Sequence, residues 1–308
     1  MRAARFQSSA WPYIYVNLAT LMWAGNMTLG RALRDQVGPF ALTFARVAIA
    51  GFLLLLLFRG LPASDRRMGR DRWLLFGMAL TGIVGFPVLL YYALRFTTAT
   101  NAALINGAGP LVTAALAALL LRDRLRPGQI AGAAISLAGV SLVIGVAGGE
   151  SAGINPGDAI MVLAVVLWGL YSIMGQAVMR RRSNLSATAF ATWLALPALL
   201  LLTALEWRSA PPALTPVGGL GVLYIGVFAA FFAVILWNEG VRRTGPSGAM
   251  AFYNMLPVFG ALLGALFLDE RLSPPQYAGA ALVVFGGLVS ALWRSSASPK
   301  SAPGVLPR

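Results

Sequence analysis

The 308-residue sequence contains no cysteine and no histidine, and only 11% of its residues are charged. Without cysteine there is no disulfide and no thiolate chemistry. Without histidine the usual metal ligand and the usual near-neutral proton carrier are missing. A soluble protein of this length needs more charge to cover its surface, whereas a surface that faces lipid needs none. With 58% hydrophobic residues and a mean hydropathy of +0.74, the composition predicts an all-α membrane protein.

Acidic residues are also scarce, since 10 Asp and Glu stand against 24 Lys and Arg, for a net charge of +14. A basic excess of this size is also found in nucleic-acid-binding proteins. Here the basic residues, all arginine except Lys300, lie between apolar segments and not on one polar face. We therefore expect no nucleic-acid partner.

Ten segments are apolar over the roughly 20 residues that a membrane-spanning helix needs. The first, preceded by Arg2 and Arg5, could be a signal peptide, but it is long, contains Asn17 and Asn26, and lacks a clean cleavage site. We interpret it as a span, and we expect the tail 294–308 to be disordered. The ten predicted spans are 11–33, 39–58, 73–94, 98–121, 128–147, 158–179, 186–205, 218–240, 245–268 and 275–293.

The basic residues fall unevenly on the two sides of these spans. If the N-terminus is cytoplasmic, 18 of them lie inside and 5 outside, and only Arg46 lies within a span. The positive-inside rule therefore predicts that both termini are cytoplasmic.

The segment 110–132 recurs at 257–279, shifted by 147 positions without a gap. Between Leu121 and Ile135, nine of fifteen residues are identical at that offset, where composition alone would give about one or two. Yet RDRLRP at 122–127 sums to +2 and DERLSP at 269–274 sums to −1.

This charge difference follows from topology. Five spans per half is an odd number, so the second half enters the membrane inverted and its copy of the turn lies outside. We predict two inverted five-helix repeats, residues 1–147 and 148–293. Inverted repeats are typical of secondary transporters, although such a duplication could also merely build a stable bundle.

Trp23 in WAGN and Trp168 in WGLY stand near the centre of the first helix of each half. The second half ends in LDERLSPPQYAG, and the first half ends in the related LRDRLRPGQIAG. With the inverted halves, these features resemble the EamA group of the drug/metabolite transporter superfamily over nearly the whole chain, and within it the YddG-type aromatic amino acid exporters. The resemblance implies an outward-opening basket of helices around a central cavity, with the fifth helices packed together. It also implies export across a bacterial inner membrane of aromatic amino acids or, in some members, of toxic organic cations.

Aromatic and amide residues inside the spans are the candidate substrate-binding residues. A cavity of rings with a few amides suits a flat, amphipathic solute. Interfacial anchoring is the competing explanation, and we favour it for residues at span ends such as Trp11, Trp73 and Trp207. The candidates are Trp23, Asn26, Tyr91, Asn101, Asn106, Trp168, Tyr171, Trp237, Asn238, Tyr253 and Asn254.

Pro110 and Pro257 are equivalent under the 147-residue shift. A proline inside a helix frees the carbonyl four residues earlier, here at Asn106 and Tyr253, which must then be satisfied by protein, water or ligand. A simple kink is the alternative. Arg46 could meet a substrate carboxylate or snorkel to the surface, and we favour a structural or gating role for it.

No Asp or Glu lies near the middle of any span, so we expect a facilitator that is not coupled through a midplane carboxylate. One cavity arginine is too few for phosphorylated substrates.

An intramembrane enzyme finds no support, because no HExxH, paired-aspartate or Ser–His pattern occurs. We expect an exporter by alternating access, with an organic-cation exporter as the alternative. We expect no cofactor and no metal, and a monomer in which Gly128, Gly132 and Gly279 pack helices within one chain.

Overall fold

The computed structural model describes residues 11–121, 127–147, 155–240, 243, 253 and 255–295. The structure is 85% helical, and the described residues contain no β-strand. Most of the first repeat turn, the predicted boundary at 147/148, Asn254 and nearly all of the tail lie outside these ranges. The helices are α1 (Trp11–Ala32), α2 (Pro39–Phe58), α3 (Gly69–Ala93), α4 (Ala99–Gly107), α5 (Gly109–Leu121), α6 (Pro127–Ala147), α7 (Pro156–Met179), α8 (Asn184–Ser209), α9 (Pro216–Gly240), α10 (Met255–Leu268) and α11 (Pro274–Ser295).

Five of these helices, α2, α3, α7, α8 and α9, are long and apolar enough to cross a membrane. Helices α4 and α5 form a pair bent by 42° that would make a sixth span. Shorter apolar stretches occur in α6, α10 and α11. The multi-pass architecture is therefore confirmed, and the number of ten spans stays a prediction.

Large apolar side chains cover much of the outer surface. Phe52, Leu119 and Val217 are 64%, 76% and 77% exposed, on three different helices. Exposure on this scale is a liability in water but not in lipid. The surface therefore agrees with a bilayer as the solvent.

Local sequence explains where the helices begin. Proline, whose missing N–H costs nothing at the first helical position, is the first residue of α2, α6, α7, α9 and α11. The side chains of Thr98, Asn155, Ser183 and Thr215 accept hydrogen bonds from the first turns of α4, α7, α8 and α9.

A carboxylate from elsewhere in the chain caps α2, and another adds to the Thr98 cap of α4. Glu206 accepts from the backbone N–H groups of Phe40 and Ala41, at 3.3 and 2.9 Å, at the start of α2. Glu270 accepts from those of Ala99 and Thr100, at 2.8 and 2.9 Å, at the start of α4. A negative charge at a helix N-terminus is favourable, so these caps also tie distant helices together.

Contacts between loops sort the helix ends into two groups. At one end, called here the Asp71 end, Arg181 and Arg182 pair with Asp71 at 3.0 and 3.3 Å, and Asp65 accepts from the Ser183 N–H. These contacts join the ends of α2 and α7 to the starts of α3 and α8.

At the opposite end, called the Glu270 end, Arg31 at the C-terminus of α1 donates to the Leu94 carbonyl at 2.6 Å. Asn155, at the start of α7, donates to the Phe96 carbonyl at 3.1 Å. Helix α1 thus ends where α7 begins. These two helices, which are equivalent in the sequence repeat, run in opposite directions, as an inverted duplication requires.

Helices α6 and α11 pack against each other through residues that are 147 positions apart. Ser136 Oγ donates to the Val283 carbonyl at 3.1 Å. A Cβ added at Gly139 would stand 2.7 Å from the Gly279 carbonyl oxygen, and one at Gly286 would stand 2.6 Å from that of Gly132. The crossing is therefore nearly symmetric, and it packs the fifth helices of the two halves together as the resemblance implies.

Helices α3 and α9 each contain a π-helical stretch, Ala79–Gly85 and Ile225–Phe232. The two stretches correspond under the 147-residue shift. In the first half α4 ends at Gly107, and α5 restarts at Gly109 with Pro110 as its second residue, so the kink predicted at Pro110 is a break. Pro257 is the third residue of α10 and packs against Gly107.

The α6–α11 crossing predicts that Gly286→Ala lowers stability, because the new methyl group collides with backbone atoms of Gly132 and Ser136. Overpacking of this kind costs about 1–3 kcal/mol, which should lower the melting temperature in detergent by several degrees. Gly219→Ala is the matched control, since nothing lies within 4 Å of its added Cβ. Equal melting temperatures for the two variants would contradict the close crossing.

Candidate functional site

A cavity lies between α1, α2, α3, α7, α8 and α9, with contributions from α4 and from Tyr253. Its space amounts to about 820 Å³, including the part open to solvent. Seven of the residues singled out in the sequence line it: Trp23, Asn26, Arg46, Asn106, Trp168, Tyr171 and Tyr253.

One wall of the cavity is a cluster of three aromatic rings. Trp23 lies 5.4 Å from Trp237 and 6.1 Å from Tyr253, measured between ring centroids, and Trp237 lies 5.5 Å from Tyr253. Trp237 does not reach the cavity surface and supports the other two rings from behind.

A second wall is built around Trp168. Its ring stacks on Tyr171 at 5.0 Å and lies 5.1 Å from Phe86. Aromatic groups therefore face the cavity from both halves of the chain. Such walls can hold a flat ring by stacking or edge contacts.

The two central tryptophans differ in their polar contacts. The Trp23 indole N–H donates to the Ala229 carbonyl at 3.1 Å, within the π-helical stretch of α9. The equivalent position in α3 is Gly82, where the ring of Tyr171 packs so closely that an added Cβ would collide with it. Across the described part of the chain, the Trp168 indole has no hydrogen-bond partner. Of these two tryptophans, Trp168 is therefore the one whose indole N–H could donate to a ligand.

A hydrogen-bonded chain of side chains links α2, α3 and α1. Arg46 Nη1 donates to the Tyr91 hydroxyl at 3.2 Å, and that hydroxyl donates to Asn26 Oδ1 at 2.6 Å. Tyr91 is buried and stands behind Arg46 and Asn26, which both reach the cavity. Arg46 forms no ion pair with any described carboxylate. Its guanidinium is therefore held in place but not neutralised.

Asn106 lies at the end of α4, just before the break, and is 3% exposed. Its Oδ1 atom accepts no hydrogen bond from the described residues. The Tyr253 hydroxyl interacts with this side chain, but outside the geometry of a normal hydrogen bond. Buried side-chain atoms without a partner are costly and rare. The other such atom in the described part of the chain, Thr203 Oγ1, does not line the cavity.

Other predicted site residues lie elsewhere. Asn101 belongs to a polar network at the Glu270 end, where its amide donates to Asp158 at 3.4 Å and accepts from Gln276 at 2.8 Å. The hydroxyl of Thr97 also donates to Asp158. Asn238 is not on the cavity wall but on an adjoining fissure.

This fissure runs between α2, α8 and α9 at the Asp71 end. It shares the wall residues Thr188, Ala230 and Val234 with the cavity, so the two spaces adjoin each other. At the opposite side, Met27 and Leu90 line the cavity and pack into a buried apolar cluster.

Sequence reasoning missed several lining residues, among them Gly82, Phe86, Thr188 and Thr192. The sequence did contain a signal for Gly82. Gly82 and Ala229, which both line the cavity, are related by the same 147-residue shift that relates Asn106 to Tyr253. The two threonines offered no such signal, since they are small polar residues near the start of a long span.

Comparison with known proteins agrees with this geometry. The profile of the EamA-like transporter family matches the chain twice, at residues 10–145 and 155–292. A solved crystal structure aligns with 94% of this chain and all of its own, at a TM-score of 0.64 and 23% identity, and so shares the fold.

Several curated relatives cover most of the chain. The uncharacterized transporter YyaM of Bacillus subtilis is 31% identical over 79% of this chain and 81% of its own. The aromatic amino acid exporter YddG of Ancylobacter novellus is 27% identical over 89% and 94%. A probable terminal-alkyne amino-acid exporter of Streptantibioticus cattleyicolor is 26% identical over 87% and 89%.

The Arg46–Tyr91–Asn26 chain predicts that Tyr91→Phe destabilises the protein. The change removes the donor to Asn26 Oδ1 and an acceptor for Arg46, and an unpaired buried polar group costs about 1–3 kcal/mol. Thermal unfolding in detergent measures the loss. Tyr92→Phe is the control, because its hydroxyl makes no hydrogen bond in the described structure. A Tyr91→Phe variant as stable as Tyr92→Phe would show that the chain of bonds does not hold α1, α2 and α3 together.

Proposed function

The chain belongs to the EamA-like transporter family, and from this premise we propose that it exports small amphipathic metabolites, aromatic amino acids first, across a bacterial inner membrane. One observation carries the choice of cargo. The cavity has aromatic walls and one guanidinium, Arg46, without a carboxylate partner among the described residues. Such a cavity suits a planar apolar group attached to a carboxylate.

The relatives' names support amino acids as the class of cargo, since two of them are named as amino-acid exporters. An organic-cation exporter is the alternative of the same fold. It is disfavoured because no Asp or Glu occurs among the described residues of the cavity wall. A cation would therefore meet Arg46 and no counter-charge.

The topology that we propose has ten spans in two inverted halves, residues 1–147 and 148–293, with both termini in the cytoplasm. The loop contacts fall into two groups, one at each end of the helices, and this supports the arrangement. Helices that cross a membrane in alternating directions place successive loops at opposite ends. The excess of arginine on the predicted cytoplasmic side, 18 basic residues against 5, supports the orientation. In this topology the Asp71 end is cytoplasmic and the Glu270 end external.

Transport by alternating access follows from the same arrangement. The cavity adjoins the fissure at the cytoplasmic end, and Met27 and Leu90 on its external side belong to a buried apolar cluster. The family resemblance implies the opposite, outward opening, so we assign this structure to a second state of the cycle. The break between α4 and α5 and the π-helical stretches of α3 and α9 are the points at which helices can bend.

We propose a facilitator, because the described cavity wall offers no carboxylate to exchange a proton for substrate. Asp158 is buried but lies in the external network with Thr97 and Asn101, away from the cavity. Substrate would then move down its own gradient.

In proteoliposomes, the purified protein should release preloaded labelled phenylalanine or tryptophan faster than empty liposomes do. Trp168→Ala should reduce this efflux by about tenfold, because it removes the wall that stacks on the substrate ring. Trp73→Ala, an exposed ring at the Asp71 end, is the control and should retain wild-type efflux.

Three results would contradict parts of this proposal. If efflux of the labelled amino acid equals that of empty liposomes while a cationic drug is transported, the cargo is an organic cation and not an amino acid. Normal efflux in Trp168→Ala would remove the assigned wall. Accumulation of substrate against its gradient, driven by an imposed pH difference, would overturn the facilitator mechanism.

A further inference from the structure

We propose that Arg46 and Asn106 form a two-point site for an α-amino acid, in which Arg46 binds the carboxylate and Asn106 accepts from the ammonium group. This inference rests on the proposed function and narrows it, because it requires both charged groups of the substrate. It excludes amines that lack the carboxylate and acids that lack the ammonium group.

The argument for Arg46 begins with its unused donors. A guanidinium carries five N–H donors, and in the described structure one nitrogen donates to a protein acceptor, the Tyr91 hydroxyl. That bond fixes the side chain at the cavity wall. The remaining donors form a planar fork that matches a carboxylate. A charge inside a membrane protein is costly unless it is paired, so a substrate carboxylate would supply the missing partner.

Asn106 offers an acceptor atom, where Arg46 offers donors. Asn106 lines the same cavity. Its Oδ1 atom is buried, and the donor beside it in the described structure, the Tyr253 hydroxyl, does not form a hydrogen bond of normal geometry with it. An ammonium group has three donors and no acceptor, which makes it complementary to such an atom. Asn106 also stands in the last turn of α4, where the helix dipole favours a positive group.

The donors of Arg46 and the acceptor of Asn106 together specify the class of ligand. The cavity wall presents one unpaired positive group and one unpaired acceptor, with aromatic rings of Trp23, Trp168 and Tyr171 around them. An α-amino acid carries its carboxylate and ammonium on one carbon atom and can direct its side chain toward the rings. A single ligand of this class would satisfy both polar groups and leave the apolar walls for the ring.

The test compares three related compounds as inhibitors of labelled phenylalanine efflux: phenylalanine, phenethylamine and 3-phenylpropionate. The wild-type protein should bind phenylalanine at least about tenfold more tightly than either analogue, because a site built for a polar group rejects a ligand that lacks it.

In Arg46→Gln, the affinity for phenylalanine should fall about tenfold or more while that for phenethylamine stays unchanged. In Asn106→Ala, phenylalanine should weaken and 3-phenylpropionate should not. Arg95→Gln is the control, since it removes the same charge from an exposed position at the Glu270 end and should keep the wild-type ratios. If Arg46→Gln does not fold, Arg46→Lys retains the charge without the fork and should give a partial loss of discrimination.

Unchanged ratios in the Arg46 and Asn106 variants, with normal phenylalanine efflux, would overturn the two-point site and leave the exporter proposal standing. Failure of the proposed function looks different, because the wild-type protein would then move no aromatic amino acid, and the two-point site would fall with it.

Discussion

Polar groups inside a bilayer need a partner, and the interior of this protein is organised around that requirement. Glu206 and Glu270 each reach across to cap the N-terminus of another helix. Ser136 bonds to the backbone of its symmetry-related helix, and Trp23 bonds to a carbonyl of α9. Among the described residues, Arg46 without an ion pair and the Asn106 side-chain oxygen without a normal hydrogen bond are exceptions, and both residues line the cavity.

The two inverted halves are related by sequence but differ in detail at the cavity. The Trp23 indole is hydrogen-bonded to α9. Its counterpart Trp168 has no indole hydrogen bond to the described residues, and the ring of Tyr171 covers Gly82 at the equivalent position. A near-symmetric crossing of α6 and α11 therefore joins two halves that are not in the same local state. Such a difference is what alternating access requires, since each half must be able to take the shape that the other has left.

The sequence predicted the features that follow from the internal repeat. It did not predict the features that depend on how neighbouring helices pack. The 147-residue shift marked Asn106 and Tyr253 as equivalent positions, and the family resemblance implied that α6 packs against α11. Spacing could not show that Asn101, five residues earlier on α4, joins the network at the Glu270 end through Asp158 and Gln276. Nor could it show the π-helical stretches, because a π-helix has no residue signature of its own and depends on the helices packed around it.

A structure determined with 4-iodophenylalanine bound would test the central claim, that this cavity is the substrate site, most directly. The anomalous signal of iodine locates the ring without ambiguity. The account predicts a peak between the walls formed by Trp23 and Trp168, with density for the amino-acid head group between Arg46 and Asn106. A peak only in the fissure at the Asp71 end, or on the lipid-facing surface, would contradict it.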